Sequence, residues 1–259
     1  DPVLFLSNPK GVDQSLRDRT IEAINRVNQQ THSEWGDPET LTRIAQYEMA
    51  GRMQLAASES MSLADESADT LAAYGAEPGK ESFANNCVLA RRLAERGVRF
   101  VQLFDWGWDQ HGVEPWNSIK EGMIRKSREV DRPVHALLTD LEERGLLDET
   151  LVVFAGEFGR TPMRENRGGA VMAGLGRDHH AKAFTIWLAG GGVKRGHSHG
   201  ETDPIGFGPL TQPVQVRDLH ATILKLMGFD HRRLTFPFRG LDQKLTGVEP
   251  ARVVDDLIA

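Results

Sequence analysis

The sequence predicts an α/β protein built on a mostly parallel sheet that is covered on both faces. Three observations point there. From Lys80 onward, apolar runs of strand length alternate with amphipathic helical patterns. Two of these runs, 151–155 and 184–189, read as buried strands. The first is followed directly by Gly156-Glu157-Phe158-Gly159-Arg160 and the second is preceded by Asp178-His179-His180. Chemistry-bearing residues at strand ends are what parallel sheets display. At 259 residues the chain can bury a sizeable core, as one large domain or a domain with an appendage.

Taken in order, residues 3–6 read as a short extended segment closed by Asn8-Pro9-Lys10-Gly11. Asp13 is placed to cap a helix running to about Asn28, with Leu16, Ile21, Ile24 and Val27 on one face. A second helix fits 38–57, with Leu41, Ile44 and Ala45 inward. Residues 61–77 carry small side chains and acids without a strong period, which suits a short helix and a loop. The block 1–79 is thus helical and polar, and reads as a cap or insertion. Residues 80–259 read as the α/β region, with one continuous domain as the alternative. Within that region 83–95 is a helix, with Cys87, Ala90, Leu93 and Ala94 inward and Gly97 just past its end. Residues 98–104 form a strand, and 105–112 a loop rich in Trp, Gly and Asp. A long helix over 118–144 carries a stripe of Val130, Val134, Leu137, Leu138 and Leu141. It should kink or split at Pro133 and end at Gly145. After the strands 151–155 and 184–189 and a Gly190-Gly191-Gly192 turn, Asp218 caps a last helix, with Leu219, Ile223, Leu224 and Met227 inward.

Composition excludes several classes. A formal net charge of −6 argues against a nonspecific nucleic-acid binder, which shows a basic excess. The one cysteine, Cys87, excludes an intrachain disulfide and any multi-cysteine zinc site. No apolar stretch approaches the ~20 residues of a membrane span. The chain opens at Asp1-Pro2-Val3 without Met, as a truncated or processed chain would. Truncation would expose sheet edges, so a homo-oligomer is possible.

Three clusters carry candidate chemistry. Asp109 and His111 lie two apart in Trp108-Asp-Gln-His-Gly112, where both can turn to one point. Glu157 follows the strand 151–155. Asp178, His179 and His180 arrive together after a glycine-rich stretch. Each cluster abuts a predicted strand of one sheet, so they can converge as ligands of a divalent metal such as zinc, manganese or calcium. Arg160 and Arg177 flank the clusters and are placed to hold an anionic ester oxygen, since guanidinium matches phosphate and sulfate geometry. The competing readings are ordinary ones: a turn Asp with a surface His, a helix-capping or Arg160-paired Glu157, and surface salt bridges for the arginines. His197 and His199, with Asp203, are a further metal candidate, against a solvated loop. His220 faces polar surface or a cleft rim. Trp106, Trp108 and Trp116 offer a sugar-stacking wall or simple packing over the loop.

These motifs resemble a known family. Residues 90–102 (Ala-Arg-Arg-Leu-Ala-Glu-Arg-Gly-Val-Arg-Phe-Val-Gln), Gly107-Trp-Asp-Gln-His-Gly, Gly156-Glu-Phe-Gly-Arg-Thr-Pro, Gly176-Arg-Asp-His-His and Asp218-Leu-His-Ala-Thr-Ile are similar to the bacterial family called domain of unknown function 1501. That family looks sulfatase-like, within the alkaline phosphatase superfamily. The resemblance implies a three-layer α/β/α sandwich, incomplete here at the N-terminus, with a metal site at the strand ends. It implies Asp109, His111, Glu157 and His179 or His180 as ligands, with Asp178 compensating for Phe158, where the superfamily has His. The implied activity is metal-dependent hydrolysis of phosphate or sulfate esters, on a small-molecule or glycan anionic ester, at a periplasmic or exported location. No nucleophile is identifiable: Cys87 and Arg91 have the sulfatase spacing but lack its Pro and lie mid-helix. The alternative is a non-catalytic scaffold that binds an anionic glycan or a protein partner.

Overall fold

A computed structural model describes residues 8–166, 169 and 172–259. The expected segment 3–6 lies outside them. The chain begins with a helical hairpin. Helix α1 (Gln14–Trp35) starts where the Asp13 carboxylate accepts the Leu16 N–H, at 2.7 Å, and stops at Gly36, in the left-handed region at φ 68°. It runs beyond Asn28 because no breaker stands before Gly36. Helix α2 (Pro38–Met61) follows, with Asp37 as its N-cap and Pro38 in its first turn, where a missing N–H costs nothing. No residue of α1 is buried.

The hydrophobic core lies further on. Helices α3 (Ala68–Tyr74), α4 (Phe83–Glu95) and α5 (Glu121–Glu143) pack around Leu63, Tyr74, Ala84, Cys87, Val88, Leu89 and Ala136. This core crosses the boundary expected at residues 79–80. Helix α4 ends as expected at a left-handed Gly97, where Gly97 donates to the Ala94 carbonyl (2.9 Å) and Val98 to that of Leu93 (3.0 Å). Its buried face is rotated from the predicted one toward Val88, Arg91 and Arg92. Arg91 pairs with Glu66, Glu95 and Asp140 at 2.6–2.9 Å, and Arg92 reaches Glu66 as well. Cys87 is fully buried, and burial pushes its thiol up to about 12. It is a packing residue. Helix α5 passes through Pro133 without a break.

The parallel sheet does not form. The strands are short and pair two by two, always antiparallel. Strand β1 (Val152–Phe154) pairs with β4 (Trp187–Ala189), with Phe154 opposite Trp187 and their rings stacked at 5.3 Å. Between them β2 (Gly159–Arg160) pairs with β3 (His179–His180). Strands β5 (Glu201–Thr202) and β6 (Pro209–Thr211) make a third pair. Strands β7 (Thr235–Phe238) and β8 (Leu241–Lys244) form a hairpin closed by Arg239 and Gly240, both at positive φ, the two-residue turn that matches strand twist.

The three-layer α/β/α sandwich of alkaline phosphatase type is therefore corrected: among the described residues there are helices and two-stranded antiparallel pairs. The reason is physical. An apolar run reports a tendency to be buried, not the direction of its neighbour. The chain between β1 and β4 folds back through β2 and β3, with no crossover helix among the described residues to bring β4 alongside in parallel. Residues 98–104 join no ladder, and Phe100 and Phe104 are exposed. Helix α6 (Val216–Leu226) is capped by Gln215, with Asp218 inside the first turn, reaching back to the Gln215 N–H. Asp218 is thus the second half of a capping box rather than the N-cap itself.

Candidate metal centre

Two pieces of chain build the site. The first is the loop 105–112. Asp105 accepts from the Trp108 indole (2.7 Å) and from Lys126 on α5 (2.9 Å), which ties the loop to the helical core. Asn117 then clamps its far end: its side-chain oxygen accepts the backbone N–H groups of His111 and Gly112, at 2.9 and 3.1 Å, while its amide donates to the Asp109 carbonyl, at 2.7 Å. The second is the β2–β3 pair. In so short a strand successive side chains still point to opposite faces. His179 faces outward, and His180 is buried, against Phe207.

The pieces are stitched by backbone hydrogen bonds from Thr161 to Asp178 (2.9 Å), from Glu165 to Gly176 (2.9 Å) and from Arg177 to Gln110 (3.4 Å). Gly176 permits the closest approach. A Cβ there would fall on the carbonyl group of His111, so the glycine lets one backbone lie directly against the other.

The result is a tight constellation. Asp109 Oδ1 lies 2.7 Å from His179 Nε2 and 2.8 Å from His111 Nε2, and the two imidazole nitrogens are 3.1 Å apart. On the far side of the His111 ring, Nδ1 is 2.5 Å from the Glu165 carboxylate, itself buried. The partners assign the tautomer: Nδ1–H donates to Glu165, which leaves Nε2 facing Asp109 and His179. The Asp109 carboxyl is held well below the usual carboxylate range, first by the hydrogen bond from His179; burial opposes this, and Arg160 at 2.7 Å adds to the lowering. An ionised Asp109 and a His111 Nε2 with its proton on the other nitrogen are both acceptors, 2.8 Å apart. Such a contact is satisfied by a second proton on His111 or by a cation.

The donor set fits a metal. One carboxylate oxygen and two imidazole nitrogens are ligands for a borderline divalent ion, with room for a fourth ligand. Four-coordinate zinc at 2.0–2.1 Å asks for about 3.3 Å between ligand atoms, so the 2.7–3.1 Å found here would have to open by a few tenths of an ångström to admit it. The Glu165–His111 pair has the geometry by which a carboxylate orients a metal-binding imidazole from behind.

Of the residues singled out from the sequence, Asp109, His111 and His179 meet at this point, and Asp178 is near. Asp178 Oδ1 accepts the His179 N–H at 2.8 Å, and a carboxylate oxygen lies within 4.8 Å of ligand atoms of His111 and Glu165. Glu157 is exposed and joins no ligand group among the described residues. His180 points away, with Nε2 on the Phe207 carbonyl oxygen. Arg160 binds Asp109 and the carbonyls of Trp108 and Arg177, so it fixes the orientation of the Asp109 carboxylate. Arg177 is exposed and makes no ion pair among the described residues. The Phe158 ring packs against His179, with centroids 4.2 Å apart and the planes tilted by 38°. Asp203 does not join His197 and His199: its carboxylate accepts three backbone N–H groups, from Ile205, Phe207 and Gly208. Glu165 went unrecognised in the sequence.

Among known proteins, no curated protein and no solved structure matches the chain. One family does, over residues 1–258, described as "Protein of unknown function (DUF1501)". A match over that span means that the chain belongs to the DUF1501 family.

Proposed function

We propose that Asp109, His111 and His179 hold a divalent metal ion, zinc before manganese or calcium, and that the centre hydrolyses phosphate or sulfate esters. One observation carries the reading: three ligand atoms, two from one loop and one from a strand about 70 residues on, face one point, and a buried carboxylate supports the central imidazole. Two imidazoles favour a borderline ion over calcium. A bound divalent ion would supply Lewis acidity toward an ester oxygen. The chain's own residues do the rest. Glu165 keeps the His111 proton on Nδ1. Arg160 fixes the orientation of Asp109. Arg177, next to Asp178 and exposed, is placed to pair with a phosphate or sulfate oxygen. The sulfatase-like assignment rests on the motifs and not on the fold.

A second reading has its own support. Trp106 and Trp116 flank the Asp109 loop and are largely exposed, as are aromatic side chains that stack on sugars. The site would then bind an anionic glycan without turnover. Metal content and turnover separate the two. The purified chain and an Asp109→Ala, His179→Ala variant are compared by plasma mass spectrometry, then assayed on aryl phosphate and aryl sulfate. Near-stoichiometric metal lost in the variant, with metal-dependent turnover, is the expected result. Metal without turnover, together with glycan binding, favours the second reading. No metal in either protein after reconstitution overturns both.

A further inference from the structure

We propose a second divalent-cation site, formed by His197, His199 and Asp256. It shares no residue with the first. His197 and His199 lie in the loop between β4 and β5, and Asp256 in a single 3-10 turn, Asp255–Leu257, near the C-terminus. One ligand atom from each comes within 4.8 Å of the others.

The backbone brings them together without an ion. Lys194 donates to the Leu257 carbonyl at 2.8 Å, Ala259 donates to that of Gly192 at 3.0 Å, and Val193 and Ile258 form an antiparallel bridge. On the other side Gly200 packs against the backbone of Thr211 and Gln212, which fixes the end of the loop. A further anchor holds the C-terminal segment: Val254 donates to Thr222 Oγ1 (2.9 Å) and Arg252 to Asp218 Oδ1 (2.9 Å), both on α6. The ligands therefore stand on segments that are already paired, which lowers the ordering cost of binding.

His199 points to a ligand. Its side chain is only 8% exposed. Both ring nitrogens are shielded from solvent, and neither has a hydrogen-bond partner among the described residues. Nδ1 lies 3.3 Å from Asp256 Oδ2 without hydrogen-bond geometry. A buried imidazole with two unused nitrogens is unfavourable unless something meets them. Asp256, more than half exposed, and His197, exposed, supply two further donors on the same side. Two imidazoles and a carboxylate suit zinc rather than calcium or magnesium. Zinc held there would staple the 196–200 loop to the C-terminal segment.

The test is zinc titration of the 259-residue chain, stripped with a chelator, in competition with a fluorescent zinc indicator. His199 is buried and its loss can disturb folding, so the informative variant is His197→Ala with Asp256→Ala, both exposed. Its folding is checked by circular dichroism. The expected result is two zinc equivalents per chain in the parent and one in this variant. One equivalent should also remain in the Asp109→Ala, His179→Ala variant, and it should raise the melting temperature. If the first centre does not bind metal, the parent shows a single equivalent that the His197→Ala, Asp256→Ala variant loses, and the second site stands. The proposal is overturned if the folded His197→Ala, Asp256→Ala variant binds as many equivalents, with affinity within a few-fold, as the parent.

Discussion

Replacing Glu165 by Gln tests the centre at its least obvious point. The Glu165 side chain is 4% exposed, with an oxygen 2.5 Å from His111 Nδ1. Glutamine keeps an acceptor for the Nδ1–H and nearly the same volume, while it removes the negative charge and turns the other oxygen into an NH2 donor. The imidazole then loses basicity at Nε2, the atom that faces Asp109 and His179. Loss of such a supporting carboxylate typically weakens metal affinity ~10–100-fold. That corresponds to about 1.4–2.7 kcal/mol. The assay is competitive zinc titration, read at the equivalent lost in Asp109→Ala. Thermal melts without metal control for folding. The pair His111–Glu165 also belongs to an alternative ligand group with Asp178. If Glu165 itself ligated the ion, Gln would abolish binding rather than weaken it. Glu165 meets Nδ1, on the far side of the ring from the Nε2 that faces Asp109 and His179, so partial loss is expected. Unchanged affinity would refute the supporting role.

Two further perturbations follow from the geometry. Gly176→Ala would drive a methyl group into the His111 carbonyl, so the loop must shift. Loss of the first metal equivalent by at least about 10-fold is expected, since misplaced ligands cost as much as missing support. Glu66 neutralises Arg91 and Arg92 in the helical core, all three side chains being at least nine-tenths buried. Glu66→Gln removes the anion that Arg91 and Arg92 share, while Arg91 keeps Glu95 and Asp140, and should cost ~3 kcal/mol in urea unfolding. Burial alone would raise the Glu66 pKa, but the hydrogen bonds from Arg91 and Arg92 outweigh it, and the value is lowered. Its contribution is therefore complete above the unfolded-state value of about 4.3 and is lost as pH falls through the lower folded-state value. Parent and variant stabilities should converge across that acid window.

How far the sequence could be read depended on what each signal encodes. Helix α4 was legible to the residue, because Ser82 caps it and Gly97 closes it by local chemistry. Sheet direction was not, because it depends on what the chain does between β1 and β4, which no run of valines records. Asp109, His111 and His179 were legible as metal-ligand types beside predicted strands. Glu165 was not: it lies 54 residues from His111, in a short polar stretch like many others. The only signal for it was the general need of a metal-binding imidazole for a carboxylate behind it. The loop histidines His197 and His199 were legible as a pair. Their partner Asp256 was hidden by the nearer Asp203, whose carboxylate is consumed by a turn.

Which histidine of the adjacent pair enters the centre is decided by strand register, and that register has to be specified strongly. Strands β2 and β3 share only two positions, Gly159 opposite His180 and Arg160 opposite His179. A slip of one residue would bring His180 to Asp109 and bury His179, because the side-chain period is two. Two bonds cannot exclude that alone. The register is held from outside the ladder, by Thr161 on Asp178 and Glu165 on Gly176 at one end. At the other, Gly159 lies against the Ala183 carbonyl, where no side chain fits. Arg160 adds a check from within: opposite His179 it reaches Asp109 and the Arg177 carbonyl together, and a slip would break both contacts. The same residues that set the register thus choose the ligand, and Arg160 does so while holding the carboxylate that the ligand meets.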